Sequence, residues 1–594
     1  MAQLDAFIND SNFIKEIKDA FTNLKDDINF EDHNSKTIIS NLQDLHVDNN
    51  QFLNTLIEKS KNSSGIIYGE RGTGKTHLLL LANDNLNSSI KEHKTLSIYI
   101  NLKNISFPEN TNSELFNRIF SIYLYEQIQF QILRLIKNIE ADNIFEELKL
   151  LFRKNDRETI TALTEALIMI INFKNISRLG NEKISEISTG SLSLENYYKE
   201  IDEICSKVNG SIKEKGLTLS SELLSKQIDE SSEKLSKNND YLSYLNLASV
   251  KDNLVHLINK LSLNSVVFYI DEWEKIYNNQ NIQEYTANFI DKINGSPIYF
   301  WIAFVPGRGN LHQLVRGADL PHSINLDTSL IYEDSLHERS RCINYFKSLV
   351  NKRLIKFLNA YNVDYSTLFR NEDVFQDLVI ASMGNSRDFG LMLSDCIDNY
   401  FAYRTDALTQ GRPFQYINKD MIESAVKSRG QTKRNNILFN NKVNVILKDI
   451  EDFCREKKSS HFAIEITKEN IELLNTSEFS DLFYQRLIHI RKKDVSNKVE
   501  DNEKRVNIYA IDYSSTYSLH KSENQFNFWL EYAPIHDKVR RYIYSPQEIY
   551  EKISLSEGES ITCKSCKCIV NINTFHKLWE KNMCPYCTGN LYSN

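Results

Sequence analysis

Eight consecutive residues, Gly69-Glu70-Arg71-Gly72-Thr73-Gly74-Lys75-Thr76, constrain this chain more than any other feature, because they satisfy G-x-x-x-x-G-K-[ST] without a mismatch. The apolar run Gly65-Ile66-Ile67-Tyr68 precedes them and Leu78-Leu79-Leu80-Leu81-Ala82 follows, which predicts strand, loop and helix. Glycines let the backbone curl so that successive N–H groups face a phosphate, and the helix adds its positive N-terminus. Gly69, Gly72, Thr73 and Gly74 are therefore expected to cradle ATP, with Lys75 reaching the β- and γ-phosphates and Thr76 holding Mg²⁺ through its hydroxyl. A second strand pattern, Leu96 to Leu102, completes the βαβ rhythm of a parallel sheet.

A partner for the loop follows the continuous apolar run Val266-Val267-Phe268-Tyr269-Ile270, which reads as a strand buried on both faces and ends in Asp271-Glu272. Carboxylates at the carboxyl edge of an open α/β sheet lie where ligands bind. Asp271 is expected to orient Mg²⁺ through water and Glu272 to polarise the attacking water. Adjacent acids after a strand also serve as ordinary helix-start residues; the phosphate loop is what favours the catalytic reading.

Together with Ile98-Tyr99-Ile100-Asn101 and Trp273-Glu274-Lys275-Ile276, these motifs make the chain resemble the initiator clade of AAA+ ATPases, the origin-recognition-like proteins. It is also similar to the related bacterial ATPases of the signal-transducing (STAND) group. Met383-Gly384-Asn385-Ser386-Arg387-Asp388 resembles the family's second sensor, so the resemblance implies that Arg387 contacts the γ-phosphate from a helical lid. It implies ATP-driven homo-oligomeric assembly too, with an arginine of one subunit completing its neighbour's site; Arg308 and Arg316 are the candidates. Two features depart from the family. The strand after Asp271-Glu272 ends Phe304-Val305-Pro306-Gly307-Arg308-Gly309-Asn310, where a small polar first sensor is usual, leaving Arg308 or Asn310 to substitute. And 194 residues separate Thr76 from Asp271, far more than a crossover needs. Within that stretch, 110–260 shows three-and-four apolar spacing (Leu115, Ile119, Ile122, Tyr123; Ile128, Ile132, Leu135, Ile139) and reads as inserted helices.

Between Lys427 and Arg505 there are 17 Lys/Arg against 13 Asp/Glu, a net of +4 within a chain whose total is −8. The stretch Leu482 to Lys493 reads as a helix ending in a basic cluster, followed by a strand around Ile508. Initiator-type ATPases carry a winged helix after the lid, and on that reading Arg486, Arg491 and Lys493 meet DNA phosphates. The competing reading is a solvated helix end, or a winged helix that contacts protein.

Nine cysteines are unevenly placed: Cys205, Cys342, Cys396 and Cys454 are scattered, while five crowd the end. Cys563-x-x-Cys566 and Cys584-x-x-Cys587, seventeen residues apart, fit a zinc ribbon with four thiolate ligands and no open position. Cys568 and His576 are spare, and the ribbon's target, nucleic acid or protein, stays open.

Only 18 Gly and 8 Pro in 594 residues favour long helices, and 41% hydrophobic with 25% charged residues describes a globular chain of several cores. The longest apolar run, 298–305, is too short for a bilayer, and the start lacks a secretory pattern, so a cytoplasmic, membrane-free protein is expected. The expected fold is an α/β P-loop NTPase with an AAA+-like parallel sheet. Its expected parts are an N-terminal helical segment (1–60), a core (61–335) with the helical insertion, a helical lid (336–430), a winged-helix-like domain (431–550) and a small zinc ribbon (555–594). The expected function is an ATPase that couples nucleotide state to assembly and DNA binding. With no nuclease, protease or transferase constellation visible, it would act with a separate effector protein, by analogy in a bacterial anti-phage system. The alternatives are a nucleotide-dependent scaffold sensing a protein ligand, and a plasmid or replication initiator.

Overall fold

The computed structural model describes residues 3–22, 42–137 except 49, short stretches within 162–174, 246–497 except 278, 328 and 410–414, 504–522, and 536–592 except 573. Cys205, Ile139 and most of the expected insertion lie outside them. The chain packs as two units: Ile28–Gly69 with Gly74–Leu326, and Met1–Asp27 with Glu70–Thr73 and Asp327–Asn594.

The first unit is built on a five-stranded parallel sheet, in the order β2-β3-β4-β1-β5. Its strands are β1 (Gly65–Tyr68), β2 (Thr95–Asn101), β3 (Ser265–Asp271), β4 (Ile298–Phe304) and β5 (His322–Asn325). Successive residues alternate between faces, and both faces are covered, which is why these strands read as unbroken apolar runs. One face presents Ile66, Ile98, Ile100, Phe268, Phe300 and Ile302 to a large core. The other presents Ile67, Tyr99, Val267, Tyr269, Trp301 and Ala303 to α1 (Phe52–Ser60) and α2 (Lys75–Ser88), whose Leu56, Leu78, Leu79 and Leu81 complete it. Ile66 and Ile270 both pair with Ile302, so the ends of β1 and β3 stand level at the carboxyl edge with β4 between them, roughly 10 Å apart at ~4.8 Å per strand.

Of the inserted segment, α3 (Ser113–Lys137) and α4 (Leu247–Lys260) are described and join the first face, together with α5 (Gln280–Ile293). The buried stripe of α3 runs Phe116, Phe120, Leu124, Ile128, Ile132; the expected Ile128, Ile132 and Leu135 are buried, whereas Ile119, Ile122 and Tyr123 are half-buried. A four-residue ridge led by two phenylalanines faces the core, and Leu115 is left exposed.

In the second unit the helix Ser11–Thr22 packs Phe13, Ile17 and Phe21 against α6 (Leu336–Phe357) and α8 (Ser386–Thr409). These helices, α7 (Glu372–Ala381) and α9 (Lys419–Asn435) form an all-helical part. Next come α10 (Asn441–Lys457), β6 (His461–Glu465), α11 (Lys468–Leu474), α12 (Ser477–Tyr484), β7 (Ile488–Ser496) and β8 (Arg505–Ile511). The antiparallel order β6-β8-β7 gives the sequence helix, strand, two helices and a two-stranded hairpin. The helix expected through Lys493 stops at Tyr484. Arg486 turns the chain at φ 57, and Ile488 and Ile490 enter a strand instead. The pairing of Ile488 with Ile511 and Ile490 with Tyr509 decides this, a tertiary contact that local spacing does not encode.

Behind β8, α13 (Tyr513–Ser522) lies against α9, where a Cβ on Gly430 would come within 2.1 Å of the Ser514 carbonyl oxygen. Gly430→Ala should therefore force the two helices apart and destabilise this unit by about 1–3 kcal/mol. A melting temperature equal to the wild type's would contradict that packing.

Candidate nucleotide site and four-cysteine centre

At the end of β1 the Gly69 N–H donates to the Phe304 carbonyl at 3.1 Å, so the loop departs directly from the sheet edge. Gly72 and Gly74 take φ of 93° and 97°, values open to glycine at little cost. α2 begins at Lys75, whose ammonium is buried and donates to the Gly69 carbonyl oxygen at 2.7 Å; Thr76 stands in the first turn, half-buried. Asp271 is buried at the end of β3. Its Oδ2 accepts from the Tyr99 hydroxyl at 2.7 Å and its Oδ1 from the Glu272 N–H at 2.9 Å. Burial and the adjacent Asp271 push the Tyr99 phenol well up, so Tyr99 remains a donor that fixes the carboxylate. Sequence reading placed Tyr99 only as a strand residue; its signal is register, since Tyr99 pairs with Tyr269 two residues before Asp271 on the neighbouring strand. Glu272 adopts φ 61 and turns its carboxylate to within 3.8 Å of the Lys275 ammonium.

Arg308 and Arg316 lie beyond β4. The Arg308 guanidinium stacks over Tyr277 at 5.1 Å, and the exposed Arg316 over Tyr68 at 4.8 Å and Phe304 at 5.8 Å. Asn310 holds its own loop, accepting the His312 N–H at 2.8 Å.

Loop residues 70–73 belong to the second unit, where α8 meets them. Asn385 caps α8, its Oδ1 accepting the N–H groups of Arg387 and Asp388, and its Nδ2 donates to the Arg71 carbonyl at 2.9 Å. The Arg387 N–H donates to the Gly72 carbonyl at 3.2 Å, and a Cβ on Gly72 would sit 2.5 Å from the Arg387 Cβ. Gly384, at φ 82, passes so close to the Leu330 carbonyl that a side chain there would strike it at 2.1 Å. The glycine three residues before Arg387 thus has a local steric cause.

Arg486 and Arg491, expected on a DNA-facing helix, are buried. Arg486 donates to the Arg71 carbonyl at 2.5 Å and pairs with Asp388 at 2.9 Å. Arg491 grips Glu333 with two nitrogens, one at 2.7 Å, and donates to the Met383 carbonyl at 3.2 Å. Their partners lie in segments about a hundred or more residues earlier, so the basic cluster is an internal one. Lys493 is exposed. Between them His489 places Nδ1 at 2.9 Å from Glu70 Oε1 and Nε2 at 3.0 Å from Asp512 Oδ1. Ionised carboxylates only accept, so both ring nitrogens must carry protons. Burial alone would lower this imidazole's pKa; the charge of Glu70 and the hydrogen bonds to Asp512 and Glu70 outweigh it and raise it to about 9. Burial likewise works against ionised Asp388 and Asp512. Arg486, Lys433 and Arg429 around Asp388, and Lys433 with His489 beside Asp512, hold both well below the usual carboxylate range.

Near the C-terminus, after α14 (Pro546–Ser556), the short hairpin β9 (Ser560–Thr562) and β10 (Ile569–Asn571) carries two equivalent knuckles. The Cys563 N–H donates to the Cys568 carbonyl and the Cys584 N–H to the Gly589 carbonyl, both at 2.8 Å. Four residues after each leading cysteine, Lys567 and Thr588 take left-handed φ of 63° and 58°. Cys563, Cys566, Cys584 and Cys587 bring their sulfurs within 4.8 Å of one another, with two contacts at 3.7 Å. A disulfide needs ~2.05 Å, whereas Zn–S bonds of ~2.3 Å set tetrahedral edges of about 3.8 Å. The donor set therefore fits zinc. Cys568 is exposed and serves by its backbone, and His576 faces Glu580 at 3.5 Å.

No family model matches the chain, and no curated protein does. Among solved structures it is similar to the Aeropyrum pernix ORC1 protein in complex with DNA, at 12% identity over 80% of this chain and 93% of that one, TM-score 0.29. It is also similar to the Aeropyrum pernix ORC2 protein (ADPNP-ADP complexes), at 10% identity over 83% and 93%, TM-score 0.31. At these scores the likeness is distant, and the α/β P-loop assignment rests on the strand order itself. No described helix is long and apolar enough to cross a membrane.

The His489 geometry has a consequence for pH. Its folded pKa of about 9 lies above the ordinary 6.5, so its stabilisation is complete below about pH 6.5 and is lost as pH rises through 9. The melting temperature of wild type should fall across that window, and Glu70→Gln, which removes a raising charge, should shift the fall to lower pH; parallel pH–melting curves would refute the pairing.

Proposed function

We propose that this chain is an ATP-binding and ATP-hydrolysing ATPase of AAA+ type, whose nucleotide state governs self-assembly and DNA binding. One observation carries it: the phosphate loop and the Asp271-Glu272 pair leave the same carboxyl edge of one parallel sheet, from strands separated by a single neighbour. In this reading the glycine-bearing loop and Lys75 bind the phosphates, Thr76 and Asp271 hold Mg²⁺ with Tyr99 fixing the Asp271 carboxylate, and Glu272 orients water. Arg387 acts from the first turn of α8, and Arg308 or Arg316 completes a neighbouring subunit's site. Bound Mg²⁺ would neutralise charge on the phosphates. A structural zinc closes the four-cysteine centre. A separate effector protein and an antiviral setting complete the reading.

A second reading, a nucleotide-dependent scaffold for a protein ligand, is favoured by the second helix of the winged-helix pair. α12, the element that would enter a DNA groove, carries Glu478 and Asp481 and no basic residue. ATPase assays with and without duplex DNA discriminate between the two. Lys75→Ala should abolish ATP binding, and Glu272→Gln should bind ATP but lose about 10²-fold or more in turnover. DNA-stimulated turnover supports the first reading, DNA-insensitive turnover with ATP-dependent oligomers the second, and wild type that fails to bind ATP defeats both.

The purified chain should contain about one equivalent of zinc, held by the four-thiolate site. Cys563→Ser should lose it, and a chelator should lower the melting temperature of the C-terminal part. Metal-free protein with an unchanged melting curve would overturn the assignment.

A further inference from the structure

The phosphate loop is gripped from an unexpected side. Glu70 and Arg71, its second and third residues, meet side chains from the turn before β7 and from β7 itself, some four hundred residues later. Arg486 donates to the Arg71 carbonyl at 2.5 Å, and His489 bonds both Glu70 oxygens at 2.9 and 3.0 Å. The Glu70 N–H is held in turn by Asp327 at 2.6 Å. Neither Asp327, Arg486 nor His489 belongs to a nucleotide-binding motif, and surface stabilisation does not explain the contacts, because Arg486 and His489 are almost wholly buried. Buried charges that are exactingly paired over-determine the position of whatever they hold.

We propose that Arg486 and His489 are positioning residues of the nucleotide site: acting through Arg71 and Glu70, they set the loop's conformation, so that ATP binding and the state of the winged-helix sheet are energetically coupled. The inference rests on the ATP-site reading above. The groups facing His489 are Glu70 from the loop and Asp512 after β8; behind Asp512 stands Lys433 of α9, 2.5 Å from it and 2.8 Å from Asp388, which in turn meets Arg429 at 2.7 Å and Arg486. A shift of β7 therefore cannot leave the loop unaltered without breaking buried ion pairs. Linkage is reciprocal: a ligand of the winged-helix part that moves β7 changes ATP affinity by the same factor by which ATP changes its own.

The test uses the full chain and ATP. His489→Gln and Glu70→Gln should each weaken ATP binding by about tenfold, equivalent to about 1.4 kcal/mol, while turnover at saturating ATP changes much less. The double variant should be no worse than either single one, because the effect is one interaction. The wild-type dependence of ATP affinity on pH above 8 should be absent in Glu70→Gln. If His489→Gln does not fold, hydrogen exchange of wild type answers instead: adding ATP should alter protection of the amides from Arg486 to Arg491. Unchanged ATP affinity in folded Glu70→Gln and His489→Gln, or unchanged exchange in that segment, overturns the coupling while Lys75→Ala still abolishes binding. Lys75→Ala that binds ATP like wild type overturns the site reading and the coupling with it.

Discussion

Asp388 is fully buried, and three cations, Arg429, Lys433 and Arg486, converge on its two oxygens. Such a cluster gives little net stability over an apolar core, but removing one member leaves an uncompensated buried charge, which costs about 3–5 kcal/mol. Its effect is therefore to fix arrangement. Asp388 lies in the first turn of α8, Arg429 and Lys433 on α9, and Arg486 at the turn into β7; these elements can assume only the relative position that closes the cluster. The same helix start carries Arg387 and is capped by Asn385, whose amide reaches the loop carbonyl of Arg71. Arg387 is thus placed by an electrostatic knot one residue further along.

Backbone freedom supplies the second constraint. In a chain with 18 glycines among 594 residues, Gly72 and Gly384 stand on the two sides of one contact. Gly72 admits the Arg387 backbone, and Gly384 lets the chain before α8 pass the Leu330 carbonyl. A side chain at either would separate the loop from the helix that reads it. The left-handed turns at Lys567 and Thr588 impose similar order around the four cysteines without glycine at those positions, each beside a backbone bond that closes its Cys-x-x-Cys turn.

What was legible in the sequence was whatever chemistry fixes by short spacing. Gly69 to Thr76, the acids ending the β3 run, and the two Cys-x-x-Cys pairs each need their residues within a few positions, so the pattern survives in one dimension. The strands were legible because burial on both faces leaves unbroken apolar runs. Hidden were the features decided by distant partners. Tyr99 reaches Asp271 across a strand pair, and Arg491 answers to Glu333, 158 residues earlier. Leu482 to Lys493 read as helix because leucine and isoleucine spacing there suits either period, and only pairing with β8 resolves it.

The same distinction recasts the charge of the segment from Lys427 to Arg505. Its surplus of +4 looked like a surface for an acidic polymer. Yet Arg429, Lys433, Arg486 and Arg491 are paired inward with Asp388, Asp512 and Glu333, all of which lie outside the segment. Setting those four aside leaves 13 basic residues against 13 acidic, so the formal charge of the rest of the segment is balanced. Phosphate attraction scales with cations that can release counterions, and neutralised buried arginines release none. The four-cysteine segment differs: Lys564, Lys567, Lys577 and Lys581 are exposed around the cysteine centre, with Glu580 the one acid between Cys563 and Cys587. Among the described residues, exposed positive charge is therefore better sought around the four-cysteine centre than at the turn into β7, where Arg486 and His489 hold the phosphate loop.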